Sequence, residues 1–137
     1  HWMPERYPFL ERTFKHPLHM VATDGLYVGE RPHPRGFGSF PKVLGELTRD
    51  KQWLSFEQAV YKMSGYPANK FNIKNRGVLK QGNFADIVIF DPDTVTGGAS
   101  FAEPRKDPLG IDMVFVNGIV AMQNGKATTS GYYGKIV

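Results

Sequence analysis

The chain has 137 residues, enough for one domain with a real core and too few for two large ones. Hydrophobic residues make up 41% and charged residues 22%, the net charge is +4, and there is no cysteine, which excludes a disulfide framework and a thiolate metal site. No apolar run is long enough to span a bilayer and no signal-peptide pattern is present, so the expected setting is the cytoplasm, with no membrane partner.

The chain begins at His1 rather than at an initiator methionine and reads as a piece entered midway. Over residues 1–17, Tyr7, Leu10 and Phe14 fall at near-helical spacing, which predicts a short helix ending before Pro17. Residues 18–23 ("LHMVAT") are apolar and β-favouring and read as a strand that stops on Asp24-Gly25. Glycines and prolines crowd residues 25–38, as a loop requires. Ser39 is placed to cap a helix whose apolar face is Phe40, Val43, Leu44 and Leu47, with Pro41 in the first turn. Ser55-Phe56-Glu57-Gln58 is a capping box, and Phe56, Ala59, Val60 and Met63 form the expected buried face of the helix that follows. Gly65 suits the residue after that helix, and Pro67 to Phe71 one further turn.

From about Gly77 the hydrophobic period changes. "ADIVIF" (85–90) is a continuous apolar run and predicts a strand buried on both faces. "VFVNGIVA" (114–121) predicts a hairpin with a type I′ turn at Asn117-Gly118, and Asn124-Gly125 repeats the signal for a third strand. Residues 91–111 form a long connection, expected to be functional or to lie against something else. The basic cluster Lys70, Lys74, Arg76 and Lys80 lacks interleaved stacking aromatics and reads as a solvated face, so no nucleic-acid partner is expected.

In α/β sheets and barrels, ligands bind beyond the carboxyl ends of the strands, where Asp24 stands. A carboxylate there is suited to a divalent metal or to proton transfer with its water, although spacing alone favours a plain turn-opening Asp-Gly. His16 and His19 have metal-like spacing but flank Pro17, and packing or surface roles are expected. Arg31, His33 and Arg35 follow on a proline-stiffened loop, where an arginine fork matches a substrate carboxylate as readily as it sits in solvent.

Nearly the whole chain resembles the C-terminal third of the amidohydrolase superfamily, in its N-acyl-D-amino-acid deacylase (D-aminoacylase) branch. "HPLHMVATDG" resembles the last barrel strand, "RPHPRGFGSFPKVL" the loop and helix after it, and "LSFEQAVYKMSGYPANKFNI" the helix pair beyond the barrel. "RGVLKQGNFADIVIFDPDTV" and "GIDMVFVNGIVAMQNGK" resemble the passage into, and closing hairpin of, the β-sandwich. The fold class implied is α/β: the C-terminal end of a metal-dependent (β/α)8 barrel over residues 1–72, then part of a β-sandwich over residues 73–137, incomplete as it stands.

The resemblance implies that Asp24 is catalytic, moving a proton between a zinc-activated water and the leaving amine, and a metal ligand only in a complete site. It makes Arg35 the group that grips the carboxylate of an N-acyl-D-amino acid. Zinc is then the cofactor of the complete enzyme and is not expected on this chain alone. The other ligands in that family come from earlier barrel strands, and this sequence contains no His-x-His. The expected function is therefore that of a C-terminal portion of a zinc-dependent amidohydrolase, inactive alone. Its partners would be the missing N-terminal barrel segment or further copies of itself. The alternative is a non-catalytic interaction or oligomerising module derived from the same scaffold.

Overall fold

The computed structural model describes residues 4–128 and 131–135. Helices come first and strands last: a 3₁₀ turn at Pro4–Arg6, then α1 (Tyr7–Lys15), α2 (Arg35–Lys42), a π-type helix continuing it (Val43–Asp50), α3 (Phe56–Met63) and α4 (Gly65–Lys70). Strands β1 (Ile87–Phe90), β2 (Ile111–Val116), β3 (Ile119–Gln123) and β4 (Lys126–Ala127) form one antiparallel sheet in that order.

The local turn chemistry is as expected. Ser55 Oγ accepts from the Gln58 N–H at 3.2 Å while Gln58 Oε1 accepts from the Ser55 N–H at 3.0 Å, closing the capping box that starts α3. Asn117 and Gly118 both take positive φ, 51° and 84°, in a type I′ turn that matches the twist of β2 and β3. Asn124 and Gly125 repeat it at 52° and 74°, leading into β4.

Four expectations are corrected. Residues 18–23 form no strand: a parallel strand exists only within a ladder, and the described residues offer it no neighbour. The second helix starts at Arg35, so Ser39 lies inside it, its hydroxyl donating to the Arg35 carbonyl at 2.7 Å. Pro41 is therefore interior. Without an N–H it breaks the helical ladder, and the coil widens just beyond, the Lys51 N–H reaching back five residues to the Glu46 carbonyl at 3.0 Å. Gly65 does not end a helix in the left-handed region but opens α4, buried, where an added Cβ would press on the Tyr61 ring at 3.1 Å. Finally, β1 is covered on neither face along its middle, Val88 and Ile89 being 53% and 45% exposed.

The core lies among the helices. Val43, Leu44, Leu47, Trp53, Leu54, Ala59 and Val95 are buried together, with Tyr7, Leu10, Phe14, Phe56, Phe90 and Ile111 packed around them. Val95, from the long 91–111 connection, is fully buried, so this segment belongs to the core rather than to a free loop. Arg49 holds it there, donating from Nη1 to the carbonyls of Asp93 (3.0 Å) and Val95 (2.8 Å). Replacing Arg49 by Met would leave both acceptors unpaired, and urea titration is expected to show a loss of about 1.5–3 kcal/mol with an unchanged slope.

Arg76 joins the helical part to the sheet. Its guanidinium pairs with Asp86, donates to Asn117 Oδ1 at 2.6 Å and lies 4.2 Å over the Phe84 ring. One member of the basic cluster is thus structural and not part of a solvated face. Burial would raise the Asp86 carboxyl pKa, but the Asn117 N–H at 2.8 Å and the Arg76 guanidinium outweigh it, and the net shift is downward. A lowered carboxyl pKa contributes stability that is complete above the unfolded value of 3.8 and is lost as pH falls through the lower folded value. Acid titration of stability below about pH 4 should therefore be shallower in Arg76→Met than in the unaltered chain.

Candidate active site

Asp24 and Arg35, eleven residues apart, are brought together by the loop between them. At its start the Thr23 hydroxyl accepts the Gly25 N–H at 3.3 Å, and Asp24 turns through a left-handed φ of 46°, a region that Asp tolerates better than most residues. Two glycines then allow the loop to close on itself. A Cβ on Gly25 would sit 3.0 Å from Gly36 Cα, and one on Gly36 would meet the Tyr27 ring at 2.9 Å. The Tyr27 hydroxyl donates to the Gly36 carbonyl at 3.1 Å, and its ring packs edge-on against Phe37. His33 Nδ1 accepts the Arg35 N–H at 3.2 Å at the start of α2.

The outcome is an ion pair: Arg35 Nη2 lies 2.9 Å from Asp24 Oδ2. The Asp24 side chain is 85% exposed and that of Arg35 37% exposed. Arg35 Nε is buried and has no hydrogen-bond partner among the described residues. One donor of the guanidinium edge is therefore committed to Asp24, while its neighbour is unsatisfied.

Arg31 and His33 make structural contacts. Arg31 Nη2 donates to the carbonyls of Phe101 (3.2 Å) and Ala102 (3.3 Å), and the His33 ring meets Phe101 edge-on at 5.0 Å. Arg105 returns the contact from the 91–111 segment, donating to the Gly29 carbonyl at 3.2 Å. These contacts strap the long connection over the loop that follows Asp24.

His16 and His19 do not converge as metal ligands. His16 Nδ1 accepts the Leu18 N–H at 3.2 Å, and the His19 ring packs on Phe14 at 4.5 Å. Burial, then the positive charge of Lys62, then His16, hold the His19 pKa below its usual value. Among the described residues no three His, Cys, Asp or Glu side chains gather as a cation would require. No helix among the described residues is long and apolar enough to cross a membrane.

The sequence reading missed Lys62. It is 7% exposed on the face of α3 that carries buried Ala59, whereas Val60 is 40% exposed. Its spacing of three from Ala59 carried a signal, but lysine on an apolar face reads as surface until a partner is seen.

No family model matches the chain. A D-aminoacylase from Alcaligenes xylosoxydans xylosoxydans is 42% identical over 95% of this chain and 27% of its own length. Among solved structures, a D-aminoacylase described by the one-metal activation and second-metal attenuation of its binuclear centre superposes with a TM-score of 0.85. It is 41% identical, over 88% of this chain and 26% of its own. The chain is a homologue of the D-aminoacylases. N-acyl-D-glutamate deacylase from Bordetella bronchiseptica, solved with zinc and a phosphonate mimic of the tetrahedral intermediate, gives a TM-score of 0.81 at 45% identity. That match covers 86% of this chain and 25% of the Bordetella enzyme. The homologues are thus amide-bond hydrolases of the expected amidohydrolase branch, and the chain spans about a quarter of the length of the curated relatives it matches.

Proposed function

We propose that this chain supplies the C-terminal portion of a zinc-dependent amidohydrolase that cleaves the amide bond of N-acyl-D-amino acids. In this reading residues 1–72 complete a (β/α)8 barrel and residues 73–137 part of a β-sandwich. The observation that carries it is the 2.9 Å approach of Arg35 to Asp24, on a chain so similar to enzymes of that class.

Asp24 is the proton carrier. Its carboxylate takes a proton from the attacking water as the O–C bond forms, then returns it to the amine nitrogen as the C–N bond breaks. Arg35 holds the carboxylate of the substrate, because its planar fork matches both oxygens. In a complete site Asp24 would join zinc ligands supplied by residues outside this chain, and the 137 residues alone are expected to bind none.

The direct test is reconstitution. The chain is mixed with the remaining N-terminal part of the Alcaligenes D-aminoacylase, and release of free D-amino acid from its N-acetyl derivative is followed with zinc present. Turnover is expected from the mixture and from neither part alone; turnover by the isolated chain, or none from a formed complex, overturns the reading. In the active mixture, Arg35→Lys is expected to lower kcat/KM by roughly ten- to a hundredfold, since a charged hydrogen bond is worth about 1.5–3 kcal/mol.

A second reading, a non-catalytic module that binds copies of itself or another chain, is favoured by the exposure of Val28 and Leu79 at 80% each, besides the open middle of β1. Native mass spectrometry of the chain mixed with the N-terminal part of the Alcaligenes D-aminoacylase separates the two: this reading predicts an oligomer of the chain and no mixed complex.

A further inference from the structure

Residues 18–23 lead directly to Asp24, and the segment that contains them is held to α3 by hydrogen bonds. Among the described residues, the hydrogen bonds that tie residues 16–21 to an element later in the chain run to one residue of α3. The Lys62 ammonium donates to the carbonyl of His16 at 2.6 Å and to that of His19 at 3.3 Å. The Lys62 carbonyl in turn accepts the Val21 N–H at 3.3 Å. The His16 carbonyl also accepts the His19 N–H at 3.0 Å, so the lysine grips a turn that is already closed. Two residues, Ala22 and Thr23, separate the last of these contacts from Asp24, and the Thr23–Gly25 turn follows at once.

We propose that Lys62 is a positioning residue for Asp24: from the C-terminal turn of α3 it clamps residues 16–21 by side chain and backbone, and so sets the carboxylate against Arg35. The chemistry suits the task. A buried ammonium is costly unless its donors are used, and here two backbone carbonyls take them; an aliphatic side chain would fill the space but leave those carbonyls without this donor. The long stem crosses from helix to segment, so the contact is point-like and directional, whereas apolar packing alone would let the segment slide. The inference rests on Asp24 being the working carboxylate.

The test uses the full 137-residue chain and reads position rather than turnover. It compares the Asp24 carboxyl carbon resonance and the Val21 amide exchange rate in the unaltered chain, Lys62→Met and Lys62→Arg. In Lys62→Met the Asp24 resonance should move to the value seen in Arg35→Gln, where the ion pair is absent. Val21 exchange should rise at least tenfold, while the Ser64 and Ala68 amides of the neighbouring helices stay protected. Lys62→Arg, which keeps a cationic donor, should restore the resonance at least in part. A purely structural lysine predicts otherwise: all these amides exchange faster together, or the Asp24 resonance does not move, and either result overturns the proposal. Should Lys62→Met fail to fold, Lys62→Gln, which removes the charge and shortens the reach of the donor, is judged by the same resonance. Since no hydrolysis is measured, failure here leaves the deacylase reading standing, and an inactive reconstituted mixture leaves this result standing.

Discussion

Gly45→Ala is expected to destabilise the chain by about 3 kcal/mol, at the upper end of what overpacking a close-packed site costs. In an ordinary exposed helix the same change would gain up to about 1 kcal/mol from propensity alone. Here the sign reverses because Gly45 lies in the widened helix after Pro41 and faces the backbone of Val95. A Cβ would stand 2.2 Å from the Val95 carbonyl oxygen and 3.1 Å from Thr96 Cα. That oxygen cannot retreat freely, since Arg49 holds it at 2.8 Å and the Val95 side chain is fully buried on the same segment. Urea denaturation reads the effect as a lower midpoint at constant slope. Gly134→Ala, where a Cβ meets nothing within 4 Å, is the control and should stay within about 0.5 kcal/mol. Equal midpoints for Gly45→Ala and the control would mean that the 91–111 segment is not seated on the helices.

Asp24→Asn carries the largest expected functional effect. In the reconstituted enzyme it should lower kcat roughly 10²–10⁴-fold, the range for removal of a general acid–base group, with KM for the N-acetyl-D-amino acid changed far less. Stability should hardly respond. The side chain is 85% exposed and its ion pair with Arg35 is a surface pair, worth about 1 kcal/mol at most. Asparagine also tolerates the left-handed backbone that Asp24 adopts. Function lost with folding kept would separate a chemical role from a turn-forming one. Full activity in the Asn variant would return Asp24-Gly25 to the plain turn that its spacing alone suggests.

Much of the architecture was readable because it is encoded locally. The capping box at Ser55, the two Asn-Gly turns, the helix ending before Pro17 and the order of helices before strands all depend on residues within four positions of one another. The elements misread are those whose state is set by distant neighbours. Residues 18–23 have the composition of a strand, yet pairing must come from another strand. The apolar run at 85–90 lacks a covering layer along its middle. Ser39 was outcompeted as a cap because Arg35 and Gly36 already continue into a helix that Pro34 starts.

The candidate site divides in the same way. That an aspartate ends an apolar segment and that an arginine follows on a stiff loop can be read from the residues alone. Residue identity and short-range spacing are sufficient for each of those. The folded chain was needed to see that Asp24 meets Arg35, that Arg31 and Arg105 donate to backbone carbonyls across the loop, and that a buried lysine 38 residues beyond Asp24 grips the segment leading to it. Those relations depend on how a loop closes over two glycines and on which face of α3 turns inward. Both are settled by long-range packing, whose energy is shared among many residues and is written in no single motif.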